Sequence, residues 1–107
     1  MNKKVQEQIE IVKKIIVETV PVKQIYLFGS YVYGTPRENS DLDFYVVMKD
    51  DAPYRQLEAK RLIGAALWDK KTLPIDILLN TNTRFQYRKS AHTIERKVAE
   101  KGIVIYG

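Results

Sequence analysis

The segment Gly29-Ser30-Tyr31-Val32-Tyr33-Gly34-Thr35-Pro36-Arg37-Glu38-Asn39-Ser40-Asp41-Leu42-Asp43 carries more structural information per residue than any other part of the chain. It follows Val22 to Phe28, a run rich in β-branched and aromatic residues that reads as a short buried strand stopped by Gly29. Between Ser30 and Ser40, Gly34, Pro36 and Asn39 predict a short helical turn and then a loop. From Asp41 to Met48 the residues alternate. Leu42, Phe44, Val46 and Met48 point one way, and Asp41, Asp43, Tyr45 and Val47 the other.

Strand alternation places Asp41 and Asp43 on one face with Cα atoms about 6.6 Å apart. Their carboxylates can converge on a hard cation that prefers oxygen ligands. In isolation an Asp-x-Asp tripeptide is just a charged start to a strand. Here, however, the opposite face is apolar and anchored, and two like charges held rigidly side by side repel unless a cation or protons intervene. Glycine at a strand-to-helix junction lets the backbone approach a ligand, and the first amides of a helix suit phosphate oxygens. The Ser30 hydroxyl adds a donor to the same place, although a lone Gly-Ser is equally a turn with a helix cap. Asp76 is the single acid in the apolar run Leu73 to Leu79, where an unpaired charge is costly to bury. It is either half of a salt bridge to a lysine or arginine, or, if its strand lies beside Asp41–Met48, the third member of a carboxylate triad. Such a triad suits two Mg²⁺ ions clamping a phosphoryl group, with Asp76 nearest the attacking hydroxyl.

The flanking sequence fills in an α/β frame. Val5, Ile9, Val12, Ile16 and Val20 form the stripe of an amphipathic helix that ends at Pro21. A second long helix is expected from the Asp50-Asp51-Pro53 region to about Lys70, with Ala59, Ile63, Ala66 and Leu67 on one side. Leu73–Leu79 reads as a strand, Asn80-Thr81-Asn82 as a loop, and the next stretch as helical, with Ala91, Ile94 and Val98 as its stripe. Gly102 stands at a helix C-terminus, and Ile103–Tyr106 is a last strand. The order α-β-α-β-α-β-α-β describes one domain over residues 1–107, a small mixed sheet of about four strands covered by helices.

Composition narrows the function. The chain has 107 residues, 18 basic and 13 acidic side chains, and no cysteine. Disulfide scaffolds, thiolate metal sites and cysteine nucleophiles are excluded, and a cytoplasmic location is expected. No apolar run approaches the length of a membrane span, and the N-terminus lacks the apolar stretch of a secretory signal, so no membrane association is expected. Residues 81–107 hold six of the basic side chains against Glu95 and Glu100, which leaves the rest near neutral. That basic end fits a solvated helix face, a nucleotide or an acidic partner. Without interleaved aromatic and basic residues, nucleic acid is the least favoured partner. His92 is expected at the surface or in a capping role, and Trp68 in the core or an interface. Tyr45 shares the face of Asp41 and Asp43.

Taken together, buried strand, Gly-Ser, Asp-x-Asp and a lone Asp in a later strand resemble a minimal nucleotidyltransferase of the DNA polymerase β-like superfamily. The resemblance runs from the first helix to the Ile103–Tyr106 strand. It implies a polymerase β palm-like fold, with Gly29 and Ser30 on the nucleotide phosphates and Asp41, Asp43 and Asp76 holding Mg²⁺. It also implies transfer of a nucleoside monophosphate, usually AMP from ATP, with release of pyrophosphate. Many small relatives are encoded beside a HEPN-domain protein, and some are antitoxins that adenylylate a tyrosine of that toxin. A HEPN-domain protein is therefore the expected acceptor, in a homo- or hetero-oligomer. Tyr33 stands where relatives often have Arg or Lys, so Arg37, or Arg84 or Arg88 from the C-terminal third, is expected to supply the missing charge. Two alternatives stay open: an antitoxin acting by occlusion without catalysis, and a small-molecule nucleotidyltransferase.

Overall fold

The structure, a computed structural model, describes residues 2–36 and 40–107. Helix α1 (Lys3–Thr19) starts where the Asn2 side chain accepts from the Val5 amide at 2.9 Å, and it buries Val5, Ile9, Val12 and Ile16. Strand β1 (Val22–Phe28) leads through Gly29 into the one-turn helix α2 (Ser30–Tyr33). Then come β2 (Leu42–Met48), α3 (Gln56–Leu67), β3 (Ile75–Thr81), α4 (Asn82–Arg88), α5 (Ile94–Lys101) and β4 (Ile103–Tyr106).

The strands form one mixed sheet in the order β3-β2-β1-β4. β1 is antiparallel to both β2 and β4, whereas β2 and β3 are parallel and joined by α3 as a crossover. This confirms the expected α/β class and mixed four-stranded sheet. Alternation along β2 sorts two cores. Leu42, Phe44, Val46 and Met48 join the α1 and α3 side chains on one face, while Tyr45 and Val47 pack with Tyr26, Phe28, Phe85 and Val98 under α4 and α5 on the other. Burying each of these large side chains contributes roughly 1.5–3 kcal/mol. No helix among the described residues is long and apolar enough to cross a membrane.

Several boundaries differ from the sequence reading. There is no loop at Asn80-Thr81-Asn82: β3 runs through Thr81, whose hydroxyl caps α4 directly by accepting from the Arg84 amide. The helical stretch that follows is two helices. Thr93 makes the break, its hydroxyl donating to the Arg88 carbonyl at 2.7 Å and accepting from the Arg96 amide at 3.2 Å to start α5. Helix α3 begins at Gln56 and ends at Leu67, shorter at both ends than expected. Trp68, just beyond it, is 79% exposed and is no part of the core. Leu73 and Pro74 precede β3, and the Pro74 carbonyl accepts from the Leu42 amide at 2.9 Å.

One polar residue of α1 governs where β3 enters the sheet. Gln8 is buried at 1% exposure, and its Oε1 accepts from the Thr72 and Leu73 amides and the Thr72 hydroxyl, while its Nε2 donates to the Lys70 carbonyl. A buried glutamine is kept only where its amide is satisfied, and here it ties the α3–β3 connection to α1. Replacing Gln8 with Leu keeps similar bulk but strands two backbone amides. The expected cost is about 1–3 kcal/mol, read as a lower urea midpoint with faster hydrogen exchange at Thr72 and Leu73. An unchanged midpoint with unchanged exchange would contradict this role.

Candidate active site

Three strand ends meet at one end of the sheet. β1 arrives there with Phe28, and β2 and β3 both depart from it. The register sets Phe28 opposite Asp43 and Asp43 opposite Asp76. Directly paired residues of neighbouring strands project to the same face about 5 Å apart, so the lone acid of β3 stands beside the second acid of Asp-Leu-Asp. Asp41 lies just before β2 and is exposed, as is Asp76; Asp43 is half-buried. Asp76 makes no ion pair among the described residues. Its exposure also removes the burial cost that its apolar strand suggested.

Gly29 explains itself by contact and conformation. Its φ of 82° lies where side chains are strained, and a Cβ there would stand 1.9 Å from Asp43 Oδ2. The backbone must therefore be bare for the Asp43 carboxylate to lie against it. The Gly29 carbonyl accepts from the Val32 and Tyr33 amides at 2.9 and 2.8 Å, which closes the α2 turn. The Ser30 and Tyr31 amides sit ahead of that closure, where a helix has no carbonyl for them. Ser30 is half-buried at the same bend, next to Gly29 and hence to Asp43. The Gly-Ser bend and the two paired acids thus form a single corner.

Electrostatics mark the corner as strained by its own charge. Burial, then the carboxylates of Asp76 and Asp41, push the Asp43 carboxyl up to about 6. Crowded carboxylates of this kind are relieved by a proton or a cation. Among the described residues no three acids or imidazoles are already gathered around one point as a metal cage. An open set of carboxylates is nonetheless the donor chemistry suited to Mg²⁺, which is commonly held by one or two carboxylates with substrate phosphates and water completing the shell.

Tyr33 and Tyr45 border the acids differently. The Tyr33 hydroxyl is shielded from solvent and makes no hydrogen bond among the described residues. Burial and the Asp43 charge raise its pKa, with the Gly29 amide opposing. Tyr45, two residues beyond Asp43 on the same face, is fully engaged. Its hydroxyl donates to Glu95 Oε2 at 2.7 Å and accepts from Asn80 Nδ2 at 3.3 Å, and burial, then Glu95, raises its pKa. Glu95, 4% exposed, also holds Arg88 at 2.9 Å. Burial raises its pKa, but the Tyr45 hydroxyl and Arg88 outweigh burial and leave the carboxyl below its ordinary value. Gln56 extends the chain by donating to Asn80. Sequence reading missed Gln8, Asn80 and Glu95 because a polar residue at a buried position looks the same in sequence as one at the surface.

The remaining candidates are placed as follows. Arg88 is bound to Glu95. Arg84 lies on α4, which opens from the Thr81 end of β3; that end pairs with Met48, on the order of 16 Å along β2 from Asp43. Arg37 lies outside the described residues. His92 is exposed, in keeping with a surface role.

Comparison with known proteins agrees with this geometry. No curated protein sequence matches significantly. A crystal structure of a toxin-antitoxin with AMP-PNP matches at 26% identity and a TM-score of 0.57, covering 94% of this chain and 73% of that one. The model of the nucleotidyltransferase domain matches residues 9–104, from within α1 to within β4. The chain, with its Gly-Ser bend set against paired strand acids, belongs to the nucleotidyltransferase domain family.

Proposed function

We propose that this nucleotidyltransferase is an antitoxin that transfers AMP from ATP to a hydroxyl, a tyrosine of a HEPN-type partner protein, with Mg²⁺ held by Asp41, Asp43 and Asp76. The observation that carries the reading is the register Asp43 opposite Asp76 with Gly29 against the Asp43 carboxylate. The family membership and the likeness to a toxin-antitoxin with AMP-PNP support a nucleotide-using protein modifier.

The chemistry is in-line displacement at the α-phosphorus. The acceptor oxygen forms a bond to that phosphorus, the bond to the β-phosphate oxygen breaks, and pyrophosphate leaves with the electron pair. Asp76, the more open acid of the pair, takes the acceptor proton. The Gly29-Ser30 bend orients the phosphates through its leading amides and the Ser30 hydroxyl. Bound Mg²⁺ would supply charge neutralisation on the phosphoryl oxygens. Arg37 is one source of further positive charge in this scheme.

With α-labelled ATP, Mg²⁺ and the partner encoded beside it, label should pass to the partner. Asp43→Asn should lower the transfer rate at least about 100-fold. Label transfer undiminished in that variant would defeat the roles assigned here. Toxin neutralisation that survives Asp41→Asn/Asp43→Asn would assign protection to occlusion instead.

A second expectation concerns pH. Asp43 is held at about 6 against an ordinary value of 3.8, so the folded protein retains a proton that the unfolded chain releases between those values. The stability tied to this group is fully present below pH 3.8 and lost as pH rises through 6. Metal-free protein should therefore lose thermal stability from about pH 4 to pH 7 more steeply than Asp43→Asn does, and Mg²⁺ should recover it at neutral pH. Parallel profiles for the two proteins would contradict the placement of Asp43.

A further inference from the structure

β3 stands at one edge of the sheet, and along a strand the backbone groups of successive residues point alternately to its two sides. Two hydrogen bonds fix which residues point where. The Leu42 amide of β2 donates to the Pro74 carbonyl at 2.9 Å, so Pro74, Asp76 and Leu78 turn their backbone groups to β2. The Gln56 side chain on α3 donates to the Leu79 carbonyl at 3.4 Å, from the side away from β2. Ile75, Ile77 and Leu79 therefore turn theirs outward. Gln56 closes that edge at Leu79. At Ile75 and Ile77, the residues on either side of Asp76, the outward groups meet no strand among the described residues. Beside them runs an open groove of about 300 Å³, lined by Gln56, Leu57, Lys60, Ile77, Leu78 and Leu79. Leu57 is 62% exposed there. Lys60 is exposed and makes no ion pair among the described residues, and no acid lines the groove with it.

We propose that this edge docks the acceptor protein: an extended segment of it adds to β3 as an antiparallel strand, with its tyrosine opposite Asp76. This rests on the function proposed above and deepens it by naming how the protein substrate is held. Ile75 and Ile77 would each form a hydrogen-bonded pair with the incoming strand. Asp76 and the residue opposite it are then the non-hydrogen-bonded pair between them, the closer kind, with Cα atoms about 4.5 Å apart and both side chains on one face. Asp43 stands beside Asp76 on that face, so the tyrosine projects next to the acid that takes its proton. The residues flanking the tyrosine turn to the opposite face, toward the groove. There Leu57 and Ile77 favour an apolar side chain and Lys60 favours an acid, while backbone bonds supply affinity. A second copy of this chain fits the edge poorly, because antiparallel pairing about this point would set two Asp76 carboxylates face to face.

The test reads amide exchange in the isotope-labelled wild-type chain, with and without the partner encoded beside it and without nucleotide. Bound partner should slow the Ile75 and Ile77 amides at least about tenfold and leave those of Asp76 and Leu78, which face β2, as they were. Ile75→Pro removes an outward N–H at an edge position where proline is tolerated. It should weaken partner binding about tenfold and leave Mg²⁺-ATP affinity unchanged. Lys60→Glu should weaken partner binding by a smaller factor, with Lys14→Glu on α1 as the charge-matched control. A partner that binds and is labelled while both outward amides exchange as in the free chain overturns the docking assignment alone. Equal effects of Lys60→Glu and Lys14→Glu overturn the groove's part in it. Protection that grows with the concentration of this chain alone gives the edge to a second copy and also overturns it. Wild-type protein that neither binds nor labels the partner would instead overturn the acceptor reading on which the proposal rests.

Discussion

The contact between the bare backbone of Gly29 and the carboxylate of Asp43 is the constraint on which the corner depends. A Cβ at 29 would occupy the volume of Asp43 Oδ2, and a φ of 82° already favours glycine there. The turn can therefore close directly over the start of β2, which brings the leading amides of α2 and an acidic side chain to one place. Opposite forces meet there. Backbone amides favour anions, while Asp41 and Asp76 disfavour a further negative charge on Asp43. A corner with both properties is suited to a ligand that carries anion and cation together, as a metal-bound phosphate does.

The second requirement is that β3 enter in register, and two distant polar groups provide it. Gln8 fixes the approach to β3 from the α1 side. On the opposite face, Asn80 near the end of β3 is joined through the Tyr45 hydroxyl to Glu95 and Arg88. A slip of one residue would turn every β3 side chain to the wrong face and break both ties. Among the described residues Asp76 makes no ion pair, and its place beside Asp43 comes from the strand register. This division fixes the backbone of β3 at both ends.

Much of this was legible in sequence, and the reasons are local. Val22–Phe28 and Ile103–Tyr106 were read with their observed limits because a glycine or proline punctuates each and the residues between have strong strand preference. The pairing of Asp43 with Asp76 was legible only as a condition, since strand order is a tertiary property. What was hidden has a common cause. Asn80-Thr81-Asn82 looks like a loop by composition, yet Asn80 is 6% exposed and bonded to Tyr45, and Thr81 caps a helix that starts without a linker. Likewise, Arg88 and Lys97 are alike in sequence as basic residues of the C-terminal third. Only the fold gives one a buried carboxylate and the other an aromatic face.

That contrast bears on how so small a chain can act on a nucleotide. Arg88, its side chain 40% exposed, is engaged by the buried Glu95 carboxylate, which loss of the cation would leave uncompensated, and so its charge serves the fold. Lys97 is exposed and lies on the Tyr33 ring, a contact that is weak when solvated. The acids follow the same rule: Glu95 is buried and satisfied, while Asp41 and Asp76 are exposed. The Arg88–Glu95 pair thus joins α4 to α5, whereas the Asp41, Asp43 and Asp76 carboxylates act on one another beside the Gly29 bend. A domain of this size has few surfaces to enclose a substrate. Under the proposed function, Asp41, Asp43 and Asp76 would hold the metal that neutralises the phosphates, and the Gly29-Ser30 bend would orient them from the other side of the same corner.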